Sequence, residues 1–283
     1  MKNMCEISVV MSVYNQSKYV GKAIESVLAQ SFEDFEFIIV DGGSTDDTCA
    51  VVESFTDSRI KFIQNQSDML GSLNFGLENA KGKYIAYMDG DSIMHIDRLK
   101  IQYAIMQEYE NVAVCGTWAD VSEKNGLQFG KRSTSIAGFV EKPLLKFIQN
   151  NFLALPTTML RADFLKKNAL KYENYPWAED HKLWVEIAKS GGGFYVESQT
   201  LLYRQLSGKN IDTEQVKESE NSTEKIADEI LEYIIKQNKE EHPELSTIYK
   251  SLHKLQKKKL FSKNEISAFY QNLFAKNDEK LKL

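Results

Sequence analysis

The sequence predicts an α/β fold: a mixed, mostly parallel sheet flanked by helices, with a helical appendage at its C-terminal end. Three observations predict it. Strand-like runs alternate with amphipathic helical stretches from Ile7 to Cys115, the pattern of right-handed βαβ units. Most of those runs are nearly continuously apolar, as expected of strands covered on both faces. From residue 209 onward only helical periodicity remains.

Taken in order, Ile7-Ser8-Val9-Val10-Met11-Ser12-Val13 is the first strand. Val20, Ala23, Ile24, Val27 and Leu28 then recur at helical spacing within residues 18–30. Phe35 to Val40 form the second strand, ending at Asp41-Gly42-Gly43-Ser44-Thr45-Asp46. Thr45 or Asp46 caps the next helix, whose apolar face is Cys49, Val52 and Phe55. Ile60 to Ile63 make a third strand. Leu70 to Ala80 make a third helix, closed by Gly82. Tyr84 to Met88 are a fourth strand, rich in β-formers. Leu99, Tyr103 and Met106 mark a helix, and Val112 to Cys115 another strand. Residues 120–138 are polar, carry Gly126, Gly130, Gly138 and the basic pair Lys131-Arg132, and read as a loop or hairpin. Residues 152–160 fit a strand entered through Pro156. Leu183, Trp184, Ile187 and Ala188 form one helix face, and Val196 to Arg204 a last strand.

The chain has 283 residues, 42% apolar and 27% charged, enough for one large domain or one domain plus an appendage. No run approaches the ~18 apolar residues of a membrane span. Met1-Lys2-Asn3 leads straight into a strand without a signal-peptide core. Cys5, Cys49 and Cys115 are odd in number and widely spread. Together these predict a cytoplasmic protein with free thiols, neither disulfide-framed nor zinc-bound. A net charge of −5 argues against a nucleic-acid partner.

The chemistry-bearing stretch is Asp89-Gly90-Asp91, directly after the fourth strand. Two carboxylates at the C-terminal edge of a parallel sheet lie where such folds bind ligands. Close like charges conflict, and a hard divalent cation removes the conflict while sharing its shell with phosphates. The plainer alternative is a solvated turn. Loops Ser12-Val13-Tyr14-Asn15 and Asp41-Gly42-Gly43-Ser44 end at the same edge. Neither is a dinucleotide fingerprint or a P-loop.

These motifs, in this order and spacing, resemble the inverting family 2 glycosyltransferases of the GT-A (Rossmann-like) fold. The matching residues are Val9 to Asn15, the Ala23–Gln30 helix, Phe35 to Asp46, Leu73-Asn74, Gly76, and Ala80 to Ala86 leading to Asp89-Gly90-Asp91. The resemblance implies a catalytic domain over residues 1–208, with a nucleotide-sugar-binding half (1–100) and an acceptor and catalytic-base half (101–208). It implies that Ser12, Val13, Tyr14 and Asn15 line the nucleotide pocket, that Asp41 binds base or ribose, and that Asp89 and Gly90 adjoin the ribose. Asp91, with Asp89, would hold Mn²⁺ or Mg²⁺. Asp68 lies in a segment that often helps hold nucleotide or phosphate. Relatives often carry a second Asp where Gly42 stands, so Asp41 would make the base contact alone.

Further on, Trp177-Ala178-Glu179-Asp180-His181 resembles the family's Glu-Asp motif, which makes Asp180 the implied catalytic base. A carboxylate at a helix start is held ionised by the free N–H groups there, the state a base needs; capping alone is the simpler role. Leu155 stands where relatives frequently have His, Glu186 where they often have Arg, and Gln205-Leu206-Ser207 follows Tyr203-Arg204 without the usual His. The expected activity is metal-dependent inverting transfer from a nucleotide-sugar, with uracil the expected base, to a glycan or lipid-linked acceptor in cell-surface polysaccharide or glycoconjugate synthesis. The alternative is a catalytically weak nucleotide-sugar-binding scaffold subunit. A nucleotidyltransferase lacks its Gly-rich, basic N-terminal loop here.

In residues 209–283, Ile226, Ile230, Tyr233 and Ile234 form one stripe. Leu245, Ile248, Tyr249, Leu252 and Leu255 form a second, and Ile266, Phe269, Tyr270, Leu273 and Phe274 a third. Pro243 and Ser262 read as helix starts. Residues 250–283 hold nine lysines against three acidic residues, a net +6. A solvated face is the commonest fate of such a basic end; the others open to it are the inner face of a membrane, the catalytic domain, or a second subunit as homo-oligomer.

Overall fold

The computed structural model describes residues 5–122, 129–132, 134–205, 212–277 and 279–282. β1 (Ile7–Val13), β2 (Phe35–Asp41), β3 (Ile60–Gln64) and β4 (Tyr84–Asp89) are joined by α1 (Val20–Leu28), α2 (Thr48–Glu53) and α3 (Met69–Asn79). β1 pairs in parallel with β2 and with β4, and β2 pairs in parallel with β3. Every residue of β2 and all but Ser12 of β1 are buried, which is why these runs carry no polar alternation.

The sheet continues through β5 (Ser92–Met94), β6 (Val112–Ser122), β7 (Phe129–Arg132), β8 (Gly138–Phe139), β9 (Met159–Arg161) and β10 (Gly193–Gln205). α4 (Arg98–Glu108), α5 (Pro143–Phe147), α6 (Ala162–Lys167) and α7 (Glu179–Lys189) lie between these strands in the chain. The ten described strands form one mixed sheet with the main order β3-β2-β1-β4-β9-β6-β10-β5. Its long ladders are parallel; β9, β5, β7 and β8 add short antiparallel ones. Stretch 120–138 contributes the β6–β7 hairpin, and its residues 123–128 and 133 lie outside the described residues.

The chain divides into two compact units. The first comprises Met1–Val140, Leu153–Asn174 and Ser190–Asn210 and holds the sheet. The second comprises Glu141–Phe152, Tyr175–Lys189 and Ile211–Leu283. It contains α5, α7 and three further helices: α8 (Thr213–Gln237), α9 (Glu244–Lys257) and α10 (Lys263–Lys276). α8 and α10 open with capping boxes, Asp212 with Gln215 and Ser262 with Glu265, and Pro243 stands at the N-cap of α9. Among the described residues, no helix is long and apolar enough to cross a membrane.

Two sequence expectations change. α3 ends on Ala80 in an extended conformation (φ −65°, ψ 128°), so no left-handed glycine closes it. Gly82 is needed for a different reason. A Cβ there would lie 2.4 Å from Ser8 N and 2.6 Å from Ile7 C, because the chain crosses tightly against β1. The Ser8 hydroxyl accepts from Gly82 N at 2.8 Å at that crossing. Residues 152–160 are also not one strand. Leu155–Thr157 form a 3₁₀ turn, and pairing starts only at Met159. Thr158 O accepts from Tyr87 N at 3.1 Å, while Thr157 N and Thr158 N close the turn on Ala154 O and Leu155 O.

Fully buried Arg98 donates from Nη2 to Tyr87 O (3.0 Å) and Thr158 O (3.2 Å), and from Nε to Gln102 Oε1 (2.9 Å). Gln102 Nε2 donates on to Cys115 O (2.6 Å) and Thr157 O (3.0 Å). This knot ties β4, α4, β6 and the 3₁₀ turn together. Asn74 makes a smaller clamp: it gives to Tyr172 O and takes from Tyr172 N, each at 3.0 Å.

The crossing at Gly82 yields a direct test. Gly82→Ala forces Cβ into backbone and should lower stability by about 1–3 kcal/mol, the range for overpacking. Urea denaturation measures it, and an unshifted midpoint would refute the close approach.

Candidate active site

The double pairing of β1 sets the site. Ser12 lies opposite Val40 on one side and Asp89 on the other, and Val13 lies opposite Asp41. The structure thereby brings Ser12, Val13, Asp41 and Asp89 to one sheet edge, with Tyr14, Asn15, Gly90 and Asp91 in the turns that follow.

Asn15 (φ 51°) stitches the first two loops. Its Oδ1 accepts from Thr45 N at 2.8 Å and Asp46 N at 3.3 Å, and its own N–H donates to Ser44 Oγ at 2.9 Å. Gln16 N adds a bond to Thr48 Oγ1 at 2.8 Å. The Tyr14 ring next to this brace is 53% exposed, leaving a face open. Asp47 stands at the N-cap of α2 without a side-chain bond, and Asp46 Oδ1 accepts from Thr48 N instead. Burial pushes the Asp46 carboxyl up, but hydrogen bonds from Thr48 and Ser17 prevail and bring it down to about 2.

Asp41 is buried, and its Oδ2 accepts from Gly43 N and Ser44 N, each at 3.0 Å. Gly43 at φ +88° makes that tight return possible. Asp41 Oδ1 is buried and has no hydrogen-bond partner. A buried carboxylate oxygen left in this state is costly unless a ligand donates to it. A Cβ on Gly42 would come within 3.2 Å of Ser67 O and 3.3 Å of Ser72 Oγ. The room for a second carboxylate is thus narrowed by Ser67 and Ser72. Asp68 is exposed and caps α3, accepting from Gly71 N at 2.8 Å.

Gly90 lies tightly under the first loop. A Cβ there would meet Gln16 Oε1 at 2.3 Å and Val13 Cγ1 at 3.0 Å. The glycine lets the Asp89–Asp91 turn sit against β1. Asp91 is buried and Asp89 half-buried. The backbone of Arg204 pairs opposite Ser92, one residue beyond Asp91. Residues 206–211 lie outside the described residues. Among the described residues no three His, Cys, Asp or Glu cluster as a ready-made metal cage. Two carboxylates at an open edge do fit a hard cation that completes its shell with phosphates and water.

Asp180 belongs to the second unit, in the first turn of α7. Its Oδ2 accepts from Asn151 Nδ2 at 2.9 Å and its Oδ1 from His181 N at 2.7 Å. His181 is buried with Nε2 3.0 Å from Phe147 O; burial lowers it to about 4, so it is neutral at pH 7 and serves packing. Next in the helix, Lys182 is buried and bonds Glu186 and Glu229, each at 2.7 Å. Lys189 also reaches Glu186, at 3.0 Å. Trp177, at φ 62° and half-exposed, donates from its indole to Glu218 at 3.1 Å. α8 therefore braces both sides of the Glu179-Asp180 motif.

Sequence reasoning missed Asn151, Glu229 and the Arg98–Gln102 knot. Asn151 and Glu229 lie far from their partners in the chain, and no local pattern marks them. Arg98 and Gln102 carried a faint signal, an i, i+4 polar pair inside an otherwise apolar helix face.

The family model described as Glycosyl transferase family 2 matches residues 8–168. An uncharacterised glycosyltransferase of Rickettsia felis is 31% identical over 209 residues, 72% of this chain and 34% of that protein, so the chain spans about a third of its length. The EpsE protein of Bacillus subtilis, named for a glycosyltransferase assignment, is 32% identical over 206 residues, 70% of this chain and 72% of EpsE. The crystal structure of S. aureus TarS 1–349 in complex with UDP-GlcNAc aligns with TM-score 0.65 at 23% identity, over 81% of this chain and 66% of that one. At that identity the likeness shows the fold, which is GT-A-like as the sequence predicts.

Two predictions follow from the electrostatics. Glu229→Ala leaves Lys182 short of a charged partner and should cost about 2–3 kcal/mol in denaturant unfolding; a loss below about 0.5 kcal/mol would show the pair to be idle. The folded Asp46 value of about 2 lies below the ordinary 3.8. Its contribution is therefore present above pH ~4 and lost as pH falls toward 2. Asp46→Asn should flatten the fall in stability across that window, and a slope matching wild type would contradict the assignment.

Proposed function

The chain belongs to glycosyl transferase family 2, and from that premise we propose that it moves a sugar from a UDP-sugar to a hydroxyl of a glycan or lipid-linked acceptor, with inversion. The observation that carries this reading is Asp41 Oδ1, buried and unpartnered at the same sheet edge as Ser12, Val13 and Asp89. It is an acceptor for a uracil N–H or a ribose hydroxyl. The UDP-GlcNAc complex of TarS supports a UDP-sugar as the first donor to try.

Asp89 and Asp91 would hold Mn²⁺ or Mg²⁺, which when bound neutralises charge on the diphosphate leaving group. Ser12, Val13 and Tyr14 line the base, Tyr14 with its open ring face, while Asn15 fixes their loop. Asp180 takes the proton of the acceptor hydroxyl as that oxygen bonds the anomeric carbon and the bond to the diphosphate breaks. One displacement inverts the configuration. The helix start supports the ionised form that a base requires. Asn151 orients the carboxylate. Such a reaction suits assembly of cell-surface polysaccharide or glycoconjugate.

Calorimetric titration of UDP and GDP, each with and without Mn²⁺, tests the donor site. UDP should bind with metal, fail to bind Asp91→Ala, and bind Asp41→Ala about 10-fold more weakly, the worth of one charged hydrogen bond. Tighter GDP binding would overturn the base assignment. Asp180→Asn should keep UDP affinity and lose transfer; wild-type transfer in that variant would remove Asp180 from the base role. Donor binding with neither hydrolysis nor transfer in the wild type would favour a nucleotide-sugar-binding scaffold.

A further inference from the structure

We propose that the turn between α9 and α10 is a docking site for an anionic lipid bilayer, holding the protein at the membrane surface. α9 is amphipathic, yet Leu245 is its one fully buried residue; Ile248, Leu252 and Leu255 on the same stripe are half-buried. The helix closes with Lys258 N and Leu260 N both donating to Leu255 O at 3.1 Å, and Lys259 N to Gln256 O at 2.7 Å. Lys259 takes the left-handed place (φ 59°) that glycine usually fills. α10 starts at once with its Ser262–Glu265 capping box, so the turn is built at both ends.

In a closure of this kind the apolar residue after the left-handed position usually folds back over the last helical turn. Here it does not. Leu260 is 65% exposed and Phe261 41%. Exposed Lys254, Lys257, Lys258 and Lys259 precede this tip. Lys250, Lys254 and Lys257, with His253, Tyr249 and Glu232, line an open depression of about 350 Å³ along α9.

The occupant must match cations and apolar tips at once. A second copy meeting it tip to tip would bring one +6 segment against another, and the acidic remainder of a second copy would need a cavity for Leu260 and Phe261. An acidic protein would answer the lysines but would need a cavity for Leu260 and Phe261. A bilayer interface accepts both together, taking the apolar tip below the headgroups and the lysines among them. Binding is peripheral, since no described helix is long and apolar enough to cross.

This proposal stands apart from the donor chemistry, and its test does not use activity. The full chain is sedimented with vesicles of equal parts phosphatidylglycerol and phosphatidylcholine, and with phosphatidylcholine alone, in about 0.1 M salt. Wild type should partition onto the anionic vesicles at least about 10-fold better than onto the neutral ones. The triple variant Lys257→Gln, Lys258→Gln, Lys259→Gln should lose about 100-fold, at roughly 5-fold per lysine. The pair Leu260→Ser, Phe261→Ser should lose at least about 30-fold. Unchanged circular dichroism and an unchanged urea midpoint confirm that both variants fold. Equal partitioning of wild type and both variants, or no partitioning, overturns the proposal. So does a wild-type dimer abolished by Leu260→Ser, Phe261→Ser, which would assign the tip to a second copy.

Discussion

β1 is hydrogen-bonded on both sides, and the rest of the first unit depends on that double ladder. Parallel pairing with β2 and β4 fixes which residues end at one edge. A slip of one residue in either ladder would turn the side chains that follow to the opposite face. Asp41 would then no longer stand beside Val13, nor Asp89 beside Ser12. Two glycines preserve the close crossings this demands. Gly82 lets the chain enter β4 against Ser8, and Gly90 lets the acidic turn leave β4 against Val13 and Gln16. One works at each end of the strand.

Behind that edge the protein keeps a guanidinium out of water. Burial lowers Arg98 to about 9, while the Asp89 carboxylate draws it back up, so it remains a cation at neutral pH. A buried charge is costly, and hydrogen bonds to its donors offset part of that cost. Arg98 donates to the backbone carbonyls of Tyr87 and Thr158 and to Gln102, while its Nη1 is buried without a hydrogen-bond partner. The cation thus joins β4, which carries Asp89, to the core beneath it.

The second unit uses a related device. Glu186 is paired with Lys182 and Lys189 from the same helix. Glu229 of α8 completes the cluster. Lys182 pays for its burial with two carboxylates, both held below the usual range against the upward push of their own burial by their bonds to it. The appended helices are in this way built into the packing of the Asp180 helix.

The sequence by itself determined the βαβ alternation, the edge carrying Asp41, Asp89 and Asp91, the Glu179-Asp180 helix start, and the openings of α9 and α10. These rest on local properties: apolar periodicity, caps, glycine, and residues held together by neighbouring strands. Tertiary structure alone decided that Gly82 serves a crossing and not a helix end, that residues 155–157 turn instead of extending, and that Asn15 braces a loop. It alone paired Asp180 with Asn151, Lys182 with Glu229, and Arg98 with the carbonyls of Tyr87 and Thr158. Each of these joins groups far apart in the chain, and a hydrogen bond between distant segments leaves no periodic trace in either of them.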